Sequence, residues 1–335
     1  MDRFIVGTGR CGSTLLSRML AQHEEVLSLF EFFTGLDWGR RFRPEPIDGG
    51  AFADLVCAEQ PFVTAVLRRG YEVEEIVYPF GERGARYRRE DPLPWILVTL
   101  LPRITPGPDQ LFDALRTQAS SQPRQRLVEH YRQLFHWLGT RMRRPAWIER
   151  SGSSVEYLAS LREMFPRGRF LHLHRDGREV ALSMREHHAY RLPIALLYDA
   201  PADDGTPPSR MGPIDVHAAP TGTDPISRIL ASRPPPEYFG RYWTDQLQRG
   251  SRAIPQLDPG QYMEVGFERL CAEPHHVLRE IAVFFDLDGR EDWIGRAAAL
   301  VRGSPPTRFE RLPAEQQQAL QAACDPGLRL LGRLP

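Results

Sequence analysis

The sequence predicts an α/β fold with a central parallel sheet flanked by helices. Three observations point there. Two segments, Phe4–Leu20 (FIVGTGRCGSTLLSRML) and Phe170–Met184 (FLHLHRDGREVALSM), each read as an apolar strand, a tight turn and a helix. Strand and helix patterns alternate again between Ala146 and His188. The candidate strands are short continuous apolar runs, as expected when both faces of a parallel sheet are covered.

Taken in order, the first strand leads into a glycine-rich loop and a helix near Ser13–Gln22, and Val26–Phe30 reads as a second strand ending at Glu31. Arg40–Gly50 is rich in Pro, Gly and Arg and breaks the pattern. An apolar run, Trp95–Leu101, follows within a mixed region. Gln125–Arg143 is the clearest helix, because Leu127, Tyr131, Leu134, Leu138 and Met142 share one face, and that stripe reads as core. Strands are expected at Ala146–Glu149 and Arg169–His174, with helices at Val155–Phe165 and Arg178–His188. The Pro-rich stretch from Pro193 to Pro236 reads as a structureless lid or a partly disordered insertion. Helix, strand and helix then return at Tyr238–Ile254, Gln261–Val265 and Pro274–Phe285. Because sheet-like elements resume, the whole chain, 1–335, is expected to be one domain.

Composition removes several classes of function. The formal net charge is zero, so bulk electrostatics give no reason to expect nucleic acid or an anionic membrane as partner. All 43 basic residues are Arg, and there is neither Lys nor Asn. That pattern suggests a high-GC, bacterial coding bias. It also means that any anion contact falls to Arg, which binds bidentately and keeps its charge when buried. Cys11, Cys57, Cys271 and Cys324 show neither a disulfide framework nor metal-ligand spacing. No run approaches a membrane span and no leader pattern precedes the first strand, so a reducing cytoplasm is the expectation.

The first loop fits more than one phosphate-binding pattern. Gly7, Gly9 and Gly12 match GxGxxG, with Glu31 near where a ribose-binding acid would stand, so an NAD(P)-dependent oxidoreductase is one reading. Gly7–Gly12 also begins a Walker A loop, but Ser13 stands where its Lys belongs, which argues against an ordinary NTPase. The shared physics is a loop whose glycines let backbone approach an anion, at a helix N-terminus whose N–H groups are unpaired. Ser13 and Thr14 add hydroxyls, and Arg10 adds a charge.

The second segment narrows the choice. Arg175 closes an apolar strand and Ser183 follows eight residues later in the next helix. A ligand anionic at both ends suits this pair of segments. Here the chain resembles the sulfotransferases that use 3′-phosphoadenosine 5′-phosphosulfate (PAPS), in the branch with a Glu base that includes tyrosylprotein and several bacterial enzymes. The resemblance runs through the first loop, through Trp147–Met184, and through the EVGFERLCAEPHHVLREIAVFFDL segment from Glu264. It implies a P-loop-like sheet with long insertions, about 40–110 and 190–236, covering the substrate. It also implies that Gly9, Arg10, Cys11, Gly12, Ser13 and Thr14 hold the 5′-phosphosulfate, and that Arg175 and Ser183 hold the 3′-phosphate. A late Arg302-Gly303 would cover that phosphate. Arg10 and Arg150 would neutralise developing charge, and no metal would be required.

The resemblance places Gly152 where cytosolic-type members carry a catalytic His, so the base must come from elsewhere. Glu31, in LFEFF, takes that role by resemblance, with Phe30, Phe32 and Phe33 expected to desolvate it and raise its pKa. His187 and His188 read as solvated helix-end residues, and His172 and His174 as packing on one sheet face. The implied reaction is sulfuryl transfer to a hydroxyl. The aromatic residues Tyr71, Tyr87, Trp95, Tyr190 and Tyr198 in the insertions suggest a bulky, partly apolar small-molecule acceptor. A non-catalytic nucleotide-binding protein of the same fold is the non-enzyme alternative.

Overall fold

The computed structural model describes residues 1–303 and 306–334. Five strands form one parallel sheet: β1 (Arg3–Val6), β2 (Val26–Phe30), β3 (Ala146–Arg150), β4 (Arg169–His174) and β5 (Tyr262–Gly266). Their order is β2-β3-β1-β4-β5. β1 is central and buried throughout; Ile5 pairs with Arg150 of β3 on one side and with Leu171 of β4 on the other.

Strand alternation divides the core between the two faces of the sheet. Phe4, Val6, Leu27, Leu29 and Phe170 pack on one face, against the helix Leu127–Met142. The predicted stripe of that helix is core, with Leu127, Tyr131, Leu134 and Leu138 buried and Met142 half-buried. Ile5, Ile148, Leu171 and Leu173 face the other way, against the helix Ser13–Leu20 and the Trp243 and Trp293 rings. His172 and His174 do share a sheet face, with ring centroids 5.6 Å apart, and His172 Nδ1 lies 2.7 Å from the Tyr262 hydroxyl.

The apolar run from Trp95 forms two short helices, Trp95–Thr99 and Leu101–Ile104. One stretch differs from the sequence expectation. The Pro-rich stretch is not structureless. Pro193 lies inside the helix His188–Tyr198, and Asp224 caps Pro225–Ala231, accepting from Ser227 N–H at 3.0 Å. Proline at the first helical position costs no hydrogen bond, since that N–H has no intrahelical partner. Several prolines of this stretch therefore start helices; Pro236 opens Pro236–Ser251 in the same way.

Parallel strands place every strand's C-terminal end on one edge. The loops beginning at Gly7, Glu31, Ser151 and Arg175, and the helix beginning at Phe267, all leave from that edge. The core beneath it depends on Phe4, which is fully buried, stacks on Phe170 at 5.3 Å and lies tilted against Phe165 at 4.8 Å. Phe4→Ala should cost about 3–5 kcal/mol of unfolding free energy. Denaturant melts should show a lower midpoint with an unchanged slope.

Candidate active site

The loop after β1 turns through three left-handed residues, Gly9 (φ 75°), Arg10 (φ 50°) and Gly12 (φ 94°). Such turns aim successive backbone N–H groups into one concavity. Gly12 begins the helix Ser13–Leu20 and no side chain caps it, so the helix's first N–H groups remain available to an anion. Cys11 is fully buried, and burial pushes its thiol up, so within the loop it offers backbone rather than a nucleophile. Its Sγ fills the space where a Cβ on Gly7 would come within 2.7 Å.

Gly9, Arg10, Gly12, Ser13 and Thr14 line one cavity of about 190 Å³ together with Glu31, Arg150, Arg175 and Ser183. The two predicted segments meet directly there, because Arg10 Nε donates to Ser183 Oγ at 3.1 Å. Arg175 is buried beside the Phe267 ring, 5.0 Å from its centroid, and its guanidinium makes no hydrogen bond to a described residue. Burial and the neighbouring Arg308 charge both lower its pKa. A buried guanidinium in that position is suited to an anion brought by a ligand. Arg302 and Gly303 are exposed and do not line the cavity; the late cation whose charge bears on Arg175 is Arg308.

Glu31 lies just past β2 in the left-handed region, at φ 55°. Its backbone is fixed twice: its N–H donates to the Arg150 carbonyl at 2.6 Å, and its own carbonyl accepts from the Trp95 indole at 2.6 Å. Its buried carboxylate is fixed twice more. Oε1 pairs with Arg150 Nη1, and Oε2 accepts from the Gly152 N–H at 2.8 Å. Arg150 also donates to Thr14 Oγ1 at 2.7 Å, which ties the first loop to the ends of β2 and β3.

The surroundings of Glu31 correct the expectation of a carboxylate enclosed by phenylalanines. Phe32 and Phe33 point into the core, edge-on to Tyr131 and Phe135, and Phe30 lies under the Arg150 guanidinium at 3.9 Å. A cation and a backbone N–H are its neighbours instead. His187 is corrected as well: it is buried, and its Nε2 lies 2.9 Å from Glu75 Oε2. Burial alone would raise the Glu75 carboxyl, but the His187 hydrogen bond and charge, with Arg10, bring it to about 2.

Several residues of the site carry no local sequence signal. Glu74 accepts from Arg10 Nη1 at 2.9 Å, so an anion arriving at Arg10 competes with a carboxylate. Tyr190 fills the junction of two loops; a Cβ on Gly9 would lie 1.9 Å from its hydroxyl and one on Gly152 would lie 2.9 Å away. Burial, reinforced by the Glu31 charge, pushes its phenol well above the usual value. Glu31, Glu75, Gly152 and Tyr190 also line a second cavity, of about 330 Å³. Its walls include Trp95, Tyr157, Ile194 and Tyr242. Of the aromatics singled out in the sequence, Trp95 and Tyr190 line it, whereas Tyr71, Tyr87 and Tyr198 do not. Among the described residues there is no group of three or more His, Cys, Asp or Glu that could hold a metal, and no helix long and apolar enough to cross a membrane.

No family model matches the chain, and no curated protein matches it. Among solved structures, it overlaps a sulfotransferase domain from the curacin biosynthetic pathway at TM-score 0.45 and 13% identity, over 96% of each chain. Sulfotransferase STF9 from Mycobacterium avium overlaps at TM-score 0.45 and 15% identity, over 98% of this chain and 76% of that one. A sulfotransferase from Alicyclobacillus acidocaldarius overlaps at TM-score 0.40 and 17% identity, over 99% and 94%. Overlap this slight assigns neither family nor activity to the chain.

Behind the cavity, Glu149 is fully enclosed and is held by the Ser151 hydroxyl at 2.5 Å. Burial pushes its carboxyl up to about 8 from an ordinary 4.5. The folded chain therefore holds a proton that the unfolded chain releases between those values, and stability should fall as pH rises from about 4.5 to about 8. Glu149→Gln should flatten that slope in denaturant melts taken across the same range.

Proposed function

We propose that the chain is a sulfotransferase that moves the sulfuryl group of PAPS to the hydroxyl of a small-molecule acceptor. One observation carries the reading. A single cavity joins a glycine nest at a helix N-terminus to a buried guanidinium, Arg175, that has no hydrogen bond among the described residues, and it borders a second, aromatic cavity at Glu31. The first half suits one phosphate-like group and the second half another, as a nucleotide with separate 5′ and 3′ anions requires.

The residues present fit such a donor. Gly9–Thr14 would hold the 5′ end, and Arg175 and Ser183 the 3′-phosphate. Bound there, PAPS would supply an activated sulfuryl group. Glu31, shared by both cavities, is placed to take the proton from an acceptor hydroxyl, since one face of the site holds the anion loop and the other the apolar walls. Arg150 holds that carboxylate and Thr14 together, and Arg10 and Arg150 would offset negative charge near the loop. The absence of a side chain at Gly152 fits the same assignment. A Cβ there would clash with the Tyr190 hydroxyl at 2.9 Å and would touch both Glu31 oxygens at 3.4 Å, an ordinary contact, so the bare backbone leaves room for Tyr190 beside Glu31.

Strand order weighs against the oxidoreductase reading. In the dinucleotide-binding order the second strand pairs with the first, whereas here β3 lies between β2 and β1.

Calorimetric titration with adenosine 3′,5′-bisphosphate, with 5′-AMP and NAD as controls, tests the donor site. Binding should require the 3′-phosphate and weaken about ten- to a hundredfold in Arg175→Ala, the scale of one or two charge-assisted hydrogen bonds. Preference for NAD would overturn the reading. Once an acceptor is in hand, Glu31→Gln should retain bisphosphate binding and lose about a hundredfold or more in turnover. Unchanged turnover would remove Glu31 from the role of base.

A further inference from the structure

The aromatic cavity contains a cation that the proposed reaction does not use. Arg41 is 3% exposed, so it is nine-tenths buried and more. Its guanidinium lies 4.2 Å from the Tyr157 ring centroid, 4.7 Å from that of Trp38 and 5.1 Å from that of Phe42. Among the described residues its only hydrogen bond is from Nη1 to the Phe33 carbonyl, at 2.9 Å; Nε has no partner. No described carboxylate comes within salt-bridge distance of it. Glu156, whose carboxyl burial raises and the Arg249 and Arg41 charges lower, gives Oε2 to Arg249 at 2.8 Å.

Stacking on rings offsets part of the cost of burying a cation, but not the whole of it. Buried charges in folded proteins are paired, and an Arg that stays charged in an apolar site needs an anion from somewhere. The backbone here is not free to carry the side chain away, since the Arg41 carbonyl accepts from the Tyr131 hydroxyl at 2.9 Å. Arg41 lines the same cavity as Glu31. Three large apolar residues that stand exposed, Trp38 (62%), Phe62 (40%) and Leu197 (59%), line it too. Exposed apolar residues gathered at one cavity favour an apolar ligand body.

We propose that Arg41 is a carboxylate subsite and that the acceptor is a hydroxy acid with an apolar body, its hydroxyl at Glu31 and its carboxylate at Arg41. The inference rests on the proposed function only in taking this cavity as the acceptor's; the anion subsite itself follows from Arg41. Arg41 acts in specificity, as a binding group remote from the transferred sulfuryl.

The test is calorimetric titration of the full chain with ω-hydroxydodecanoate, its methyl ester and dodecyl phosphate, in wild type and in Arg41→Gln. The carboxylate should bind about tenfold or more tighter than the ester, the scale of one charge-assisted contact. Arg41→Gln should abolish that preference and leave adenosine 3′,5′-bisphosphate binding unchanged. No binding of the acid, equal binding of acid and ester, a preference that survives Arg41→Gln, or tighter binding of the phosphate would each overturn the proposal. Should Arg41→Gln fail to fold, the acid-to-ester ratio in wild type still decides. Failure to bind the bisphosphate would sink the donor-site reading alone, because the acid-to-ester ratio is read without nucleotide.

Discussion

The buried ion pair between Glu31 and Arg150 is the interaction on which the site depends. It joins the ends of β2 and β3, and the same guanidinium reaches Thr14 at the start of the helix that follows β1. Three strand ends are thus tied through one side chain. Removing either partner of such a pair leaves an unpaired buried charge, a loss on the order of 3–5 kcal/mol. The pair is worth far less as a source of net stability, because burying both charges costs most of what their attraction returns. Its value lies in position. Glu31 is in a left-handed conformation that non-glycine residues seldom adopt, and the four hydrogen bonds made by its backbone and side chain are what hold it there. Arg10 and Ser153 share that conformation in the neighbouring loops. Half of the described non-glycine residues with positive φ therefore fall at this edge of the sheet, where local cost is offset by a fixed geometry.

What could be read in the sequence was what is local. A glycine loop between an apolar strand and a helix, and an Arg at a strand end with a Ser eight residues on, are patterns within a dozen residues, and both segments line the cavity. Glu31 was legible as a strand-end acid for the same reason. Its environment was not, because Arg150 and Gly152 are about 120 positions away and reach it only through the pairing of β2 with β3. The burial of His187 was hidden for a like reason, since its partner Glu75 belongs to the first insertion. The helices of the second insertion had a readable signal in Asp224-Pro225, a cap followed by a proline at the first helical position. Counting prolines as breakers obscured it.

The two cavities share four lining residues, and that sharing gives the site its direction. Glu31, Glu75, Gly152 and Tyr190 stand between the arginine-rich side and the aromatic side. The arginine side carries three guanidiniums, from Arg10, Arg150 and Arg175, of which the first two already have carboxylate partners. Arg175 is the one whose charge no side chain of the site balances at close range. Glu74, which is mostly exposed, holds Arg10 by a contact that solvent screens and that a multiply charged ligand can displace. Glu75, half-buried and paired with His187, has no comparable freedom. The two adjacent acids therefore differ in kind: one is an exposed, solvent-screened partner of Arg10 and the other part of the wall.

Glycine at 9 and at 152 follows from the same crowding. The Tyr190 phenol occupies the gap where the loops after β1 and β3 approach each other, and any side chain at either glycine would have to displace it. With burial and the Glu31 charge both opposing its ionisation, Tyr190 stays a neutral hydroxyl that can donate, beside a carboxylate that can accept. A donor and an acceptor fixed on the wall between an anion cavity and an apolar one define where a hydroxyl group must sit to face both. A side chain at 152 would have to displace the Tyr190 hydroxyl, 2.9 Å from its Cβ, while the Glu31 oxygens at 3.4 Å would be in ordinary contact. Glycine at 152 therefore makes room for Tyr190, and what it gives Glu31, 121 residues away, is its backbone N–H.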